Sequence, residues 1–416
     1  MSPRHFCVFS ISLAALLCAS HSWAQSPPEQ TDEAQTSDSS ADTDSSRVEH
    51  TSHTAPSERA AAVVQQAREE NWSTHQLLVY LELDDADECL DFSDRTRLRE
   101  RHARWSEAVL LLDLIDPDAL DAWFLGRREP PRIVQQEMQL QLECLLEGLV
   151  GAVDQQSYNS RLFPNISGQF GGRFRTASEL ADAVASQPYW RNRAVRALRR
   201  SIFRDFGSQG YIWHRKFVFS GNAFNKISER AAHKCGLTPG AVWQPNSNHH
   251  RRCWFNSLSK EQREREILSA SAGPGLSRHH WGTDVDVLGI NPNLFVEGAV
   301  LHDDWRWLDD HGLDYGFFQT YRDVEYDGYA HMNEPWHWSY YPIAQALWDF
   351  ARHHPDRIEA LLFEQWDRLQ RAWGPAGGPY FDHLRQHWHD YVFNIYVPPI
   401  DSRPAPMEVA PRSPLP

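Results

Sequence analysis

Two short segments of this 416-residue chain concentrate side chains that hold metals and move protons. The first is SRHHWGTDVDV, residues 277–287, in which His279 and Asp286 stand seven apart with Gly282 between them to permit a tight turn. From Thr283 polar and apolar residues alternate, so an extended run puts Asp284 and Asp286 on one strand face and Val285 and Val287 on the other. The second is HMNEPWHWSY, residues 331–340, where Glu334 and His337 flank Pro335, which stiffens the backbone between them. Zn²⁺ accepts imidazole nitrogen and carboxylate oxygen in a tetrahedral shell that keeps one position open for water. His279, Asp286 and His337 fill three places, and a non-ligating carboxylate such as Glu334 can take the water's proton and return it to a leaving amine. The set reads as a one-zinc hydrolytic centre. The competing reading of the same spacing is hydrogen-bonded core histidines and surface acids.

Neighbouring residues are read more plainly. His280 is out of register with His279 and is expected to pack or hydrogen-bond beside the site. His331 is expected near the cleft mouth in a solvent-facing or supporting role and not as a fourth ligand, because a fourth protein ligand displaces the reactive water. His249 and His250, followed by Arg251 and Arg252, have no partner at ligand spacing. Trp281, Trp336 and Trp338 touch the two segments and either wall the site or fill the core.

The elements that must position these residues follow from composition along the chain. Arg4 and His5 precede the apolar run FCVFSISLAALLC, and Ser22 and Ala24 follow, which reads as a removable export signal over residues 1–24. No second stretch is long enough to span a bilayer, and Leu17 before Cys18 is too bulky for lipid processing. Residues 25–57 carry seven acids against Arg47 and almost no aliphatic side chains, so they form a disordered acidic linker. Residues 58–152 are a helical region of unknown role. In it Val134, Met138, Leu142, Leu145 and Leu149 share one stripe, and Pro117, Pro130 and Pro131 mark turns. Residues 153–350 are mixed and hold the chemistry. Residues 351–397 return to helical periodicity, with Leu362, Trp366, Leu369 and Trp373 on one face, and residues 398–416 form a Pro-rich tail. Lys and Arg total 41 against 56 Asp and Glu, a net charge of −15, which argues against a nucleic-acid partner. Of the cysteines beyond the signal, Cys235 and Cys253 could bridge an irregular segment, with separate buried thiols as the alternative. Pairing among these two, Cys89 and Cys144 stays open.

The first segment resembles the S-x-H-x-x-G-x-x-x-D motif, and the second the E-x-x-H-W motif, of the M15-type zinc peptidases, the D-alanyl-D-alanine carboxypeptidase and D,D-dipeptidase group. The resemblance spans roughly residues 195–350. Position by position it implies one zinc per chain on His279, Asp286 and His337, Glu334 as catalytic base and acid, and Ser277 and Gly282 as framing residues. Upstream, SIFRDFGSQ resembles the family's S-G-Y-R-S-F-x-x-Q segment, implying that Arg204 faces the substrate carbonyl and that Gln209 and Ser277 join substrate binding. Asp284 stands where many members have Ala. The segment DWRWLDDHGLDYGFFQTYR is similar to the stretch where the family's helix leads into a strand. The implied fold is α+β, a small antiparallel sheet carrying the zinc site and flanked by helices, here with additional N- and C-terminal helical regions. The implied activity is hydrolysis of peptidoglycan stem peptides in the periplasm or cell envelope, foremost as a D-alanyl-D-alanine carboxypeptidase. A D,D-dipeptidase, an endopeptidase and a non-catalytic peptidoglycan-binding protein are the alternatives. No oligomeric partner is assigned.

Overall fold

The stripe read from Val134, Met138, Leu142, Leu145 and Leu149 is fully buried along one helix, Arg132–Ala152, and organises the N-terminal half of the structure. The computed structural model describes residues 58–85, 88–152, 173–198, 201–220, 225–322, 333–374 and 381–400, all within one compact unit. The export signal, the acidic linker, His331 and the tail after residue 400 lie outside the described residues.

Helices α1 (Glu58–Glu69), α2 (Thr74–Tyr80), α3 (Arg95–Ile115), α4 (Pro117–Phe124) and α5 (Arg132–Ala152) come first. Local chemistry sets their starts. Ser73 and Gln76 close a reciprocal cap on α2, Asp94 caps α3, and Asp116 caps α4 with Pro117 in its first turn. Across the α3–α5 contact, Arg101 grips the buried Glu137 through Nε (3.0 Å) and Nη2 (2.6 Å). A Cys89–Cys144 disulfide ties the segment before α3 to α5.

Helices α6 (Ala177–Ser186), α7 (Pro188–Leu198), α8 (Phe206–Phe217), α9 (Glu229–Cys235), α10 (Asn248–Arg252) and α11 (Lys260–Leu268) follow, and Cys235 is bridged to Cys253. The sheet consists of β1 (Asp284–Asp286), β2 (Phe317–Gln319) and β3 (His337–Tyr340) in the order β1-β3-β2, antiparallel throughout. Helix α12 (His302–His311) precedes β2, as the similarity of that segment implied. The fold is α+β, a small antiparallel sheet set among helices.

Helix α13 (Tyr341–His353) continues directly from β3 and lies along α3. It runs from β3 across position 350 towards the C-terminal helices. Beyond it, α14 (Pro355–Trp373) and α15 (Asp382–Phe393) return to the core. Leu362 and Trp366 are buried there, and Trp366 Nε1 donates to Pro274 O (2.8 Å), just ahead of the first chemical segment. Glu264 of α11 accepts from the backbone N–H groups of His383 and Leu384 at the start of α15.

Candidate active site

Antiparallel pairing brings the two segments together. Asp286 stands directly opposite His337, Val285 opposite Trp338 and Asp284 opposite Ser339. His279 reaches the same place from a single helical turn, Arg278–Trp281, which Gly282 terminates in the left-handed region at φ 72°. A Cβ at Gly282 would lie 2.5 Å from Pro130 Cγ, so glycine is required on both counts.

The hydrogen bonds around the two histidines fix where their lone pairs point. His279 Nδ1 lies 3.2 Å from the backbone carbonyl of Asp284, which can only accept, so Nδ1 carries the proton and Nε2 is free. That Nε2 stands 3.5 Å from Asp286 Oδ1. His337 Nε2 donates to Asp284 Oδ1 (2.9 Å), leaving Nδ1 facing Asp286 Oδ1 at 3.6 Å and Glu334 Oε2 at 3.7 Å. Ligands about 2.05 Å from a tetrahedral metal stand about 3.3 Å apart. The two His–Asp separations are close to that edge, and the ligand atoms of His279, Asp286 and His337 all lie within 4.8 Å of one another. These three could hold a metal ion, and among the described residues they are the one such group.

Electrostatics agree with this arrangement. Burial raises the Asp286 carboxyl, but the facing His279 and His337 overcome it and hold it well below the ordinary carboxylate range. Burial also pulls the His279 imidazole down, which favours the neutral, ligating form. Burial lowers His337 too, yet its hydrogen bonds to Asp284 and Asp286 carry it up to about 9. A cation on Nδ1 would take the place of that proton. Glu334 is largely buried, and burial pushes its carboxyl up to about 7, where a group can both take and return a proton at neutral pH.

Arg204 is not on a helix face. It lies in the loop before α8, its backbone N–H donates to His279 O (3.0 Å), and its carbonyl accepts from His280 Nδ1 (2.5 Å). The cation is thereby locked to the first segment. Gln209 is buried behind it, accepting from Arg204 Nη1 (3.0 Å) and donating to Ala272 O, and both ends of its amide are engaged within the protein. Ser277, Arg204, His279, Asp286, Glu334 and His337 line one cleft of about 580 Å³, within the range of small-ligand sites. Trp336 also lines it. Trp281 and Trp338 are buried, with Trp281 Nε1 donating to Phe124 O and Trp338 Nε1 to Pro335 O. Residues 335–336 form a turn just before β3, and Trp336 O accepts from Val287 N (2.8 Å). His249 and His250 spend ring nitrogens on Cys235 O and Gln244 N, away from this centre.

Several residues outside the predicted ligand set also shape the site. Asp284 is completely buried and accepts from Arg278 Nε (3.0 Å), Thr283 Oγ1 (2.7 Å), Ser339 Oγ and His337, so one residue orients both histidines, by its carbonyl and by its carboxylate. Burial disfavours its charge, but Arg278 and His337 hold the carboxyl far below its ordinary range. The alternation from Thr283 was the available signal. Tyr321 sets its ring 4.6 Å from that of His337 and lines the cleft. At the far end of β3, Tyr340 Oη donates to Glu137 Oε1 (2.8 Å), which fastens the strand to α5.

The N-terminal helices buttress the first segment from behind. Trp123 Nε1 donates to Trp281 O (2.9 Å), and Phe206 N donates to Gly126 O (2.8 Å). Among the described residues no helix is long and apolar enough to cross a membrane.

No curated protein and no solved structure matches the chain. A family model does match, and its span takes in Arg204 and both segments: residues 189–343 match the VanY model, D-alanyl-D-alanine carboxypeptidase, a family of peptidases.

Proposed function

We propose that this protein is a zinc-dependent peptidase that hydrolyses peptidoglycan stem peptides, releasing a terminal D-alanine. The observation that carries the reading is the convergence of two oriented imidazole nitrogens and the Asp286 carboxylate within 4.8 Å of one another, with Glu334 3.7 Å from His337 and Arg204 lining the same cleft. When bound by His279, Asp286 and His337, Zn²⁺ supplies a Lewis acid for the carbonyl and lowers the pKa of water. The chain's own groups do the rest. Glu334 accepts the proton of the attacking water and returns it to the departing amine. Arg204, anchored through its backbone to His279 and through Nη1 to Gln209, directs positive charge at the oxygen where negative charge grows. Ser277 lines the same cleft and serves substrate binding there. Gln209 serves substrate binding through Arg204.

Export supports the same reading. The N-terminal segment has the order of a secretory signal, and the Cys89–Cys144 and Cys235–Cys253 bridges suit an oxidising compartment such as the periplasm.

The test is Glu334→Gln assayed on defined tetra- and pentapeptide muropeptides by mass spectrometry, with zinc content measured alongside. The expected result is one zinc per chain and no loss of D-alanine. Wild-type turnover in this variant would sink the mechanism.

A further inference from the structure

Lys216 is the feature of the cleft that the hydrolytic reading leaves without a task. It sits in the last turn of α8, seven residues and therefore about 10 Å along the helix from Gln209. Its side chain turns inward instead of running out to solvent. Nζ donates to Asn225 Oδ1 (2.8 Å) and to Ser271 Oγ, and the residue lines the same cleft as Arg204, His279 and Glu334. Both partners are neutral, and no carboxylate lies within ion-pair distance of Lys216 among the described residues. An ammonium has three donors, so one remains to be directed elsewhere. Burial draws the group down to about 8, and the charge of Glu334 opposes this only in part.

A cleft that holds one cation for the carbonyl oxygen and a second, held by neutral groups, is built to receive a second centre of negative charge. A peptide substrate offers one such centre beyond the scissile carbonyl, its free C-terminal carboxylate. An endopeptidase meets no carboxylate there.

We propose that Lys216, held by Asn225 and Ser271, binds the free C-terminal carboxylate of the substrate and so makes the enzyme an exopeptidase. The assignment rests on the hydrolytic reading of the same cleft.

The test compares acetyl-D-alanyl-D-alanine with its C-terminal amide. Binding is measured by calorimetry on the full chain carrying Glu334→Gln with Zn²⁺ added, and turnover by mass spectrometry on the protein with Glu334 intact. A charge-assisted contact in a partly buried site predicts roughly a 10- to 100-fold preference for the acid in binding. In Lys216→Met the acid-to-amide ratio should fall towards one, and in Lys216→Arg it should persist. The ratio is insensitive to the fraction of folded protein, which scales both ligands equally. Equal binding of acid and amide before the lysine is changed, or an unaltered ratio in Lys216→Met, overturns the assignment. Turnover without acid preference removes Lys216 and keeps the hydrolase; acid preference without turnover does the reverse.

Discussion

Substituting Asp284 separates positioning of the metal ligands from simple support of the fold. Asp284→Asn keeps the shape but removes the charge that Arg278 (3.0 Å) and His337 (2.9 Å) share, in a place with no solvent access. Arg278 is only 4% exposed, so the unpaired guanidinium should cost about 3–5 kcal/mol of stability. Weakening the bond to His337 Nε2 should lower zinc affinity by about 10- to 100-fold, the usual effect of losing an outer partner of a ligating histidine. Arg278→Met combined with Asp284→Asn removes both charges, so most of the stability should return while zinc affinity stays low. Urea unfolding of the metal-free protein reads the first quantity, and competition against a fluorescent zinc chelator reads the second. If Asp284→Asn binds zinc as the wild type does, or if the double variant regains affinity together with stability, the carboxylate is only the counter-ion of Arg278 and the positioning argument fails.

Two further outcomes test other parts of the structure. Arg204→Ala should lower kcat by about 100- to 1,000-fold with little change in KM, because the interaction it removes strengthens as the oxyanion forms; a rise in KM at constant kcat would assign Arg204 to ground-state binding instead. His383 is buried on α15 beside Tyr391 and burial holds its imidazole down at about 3, against 6.5 in an unfolded chain. Below pH 6.5 the unfolded chain therefore binds the extra proton, and the stability His383 contributes is lost as pH falls from 6.5 towards 3. The melting temperature of the wild type should accordingly fall from pH 7 to pH 5 by more than that of His383→Gln, and equal falls would show that His383 does not carry this dependence.

The parts of the site that could be read in advance are those whose chemistry is local in sequence. His279, Gly282 and Asp286 lie within one turn and one strand, and Glu334 and His337 within another turn, so spacing and residue type mark each segment, and the family resemblance joins the two. The stripe on α5 was legible for the same reason, since a 3.6-residue period declares its buried face. What escaped depends on contacts across the fold. Asp284 meets His337 across 53 residues, and Glu137 meets Tyr340 across 203, and no periodicity encodes such a pairing. Lys216 sits in the basic run His214–Lys216 at a helix end, where cations ordinarily face water and offset the helix dipole. Only the packing of Ser271 and Asn225 against it reveals that it turns inward. The Cys89–Cys144 bridge was open because four cysteines allow several pairings and spacing does not choose.

The buttress behind the first segment extends the site's influence to Gly126, which does not line the cleft. Gly126 has φ 67°, and a Cβ there would collide with the His280 ring, whose Nδ1 holds the carbonyl of Arg204 and whose Nε2 accepts from Gly275 N. A methyl group at position 126 must therefore push on the ring, and through it on the guanidinium loop and on the turn that delivers His279. The stretch matched by the family begins at residue 189, 63 positions after this glycine. The residues that meet at the cleft are thus braced by a part of the chain outside the matched stretch, and substitution of Gly126 should disturb the site as substitution of the cleft residues does.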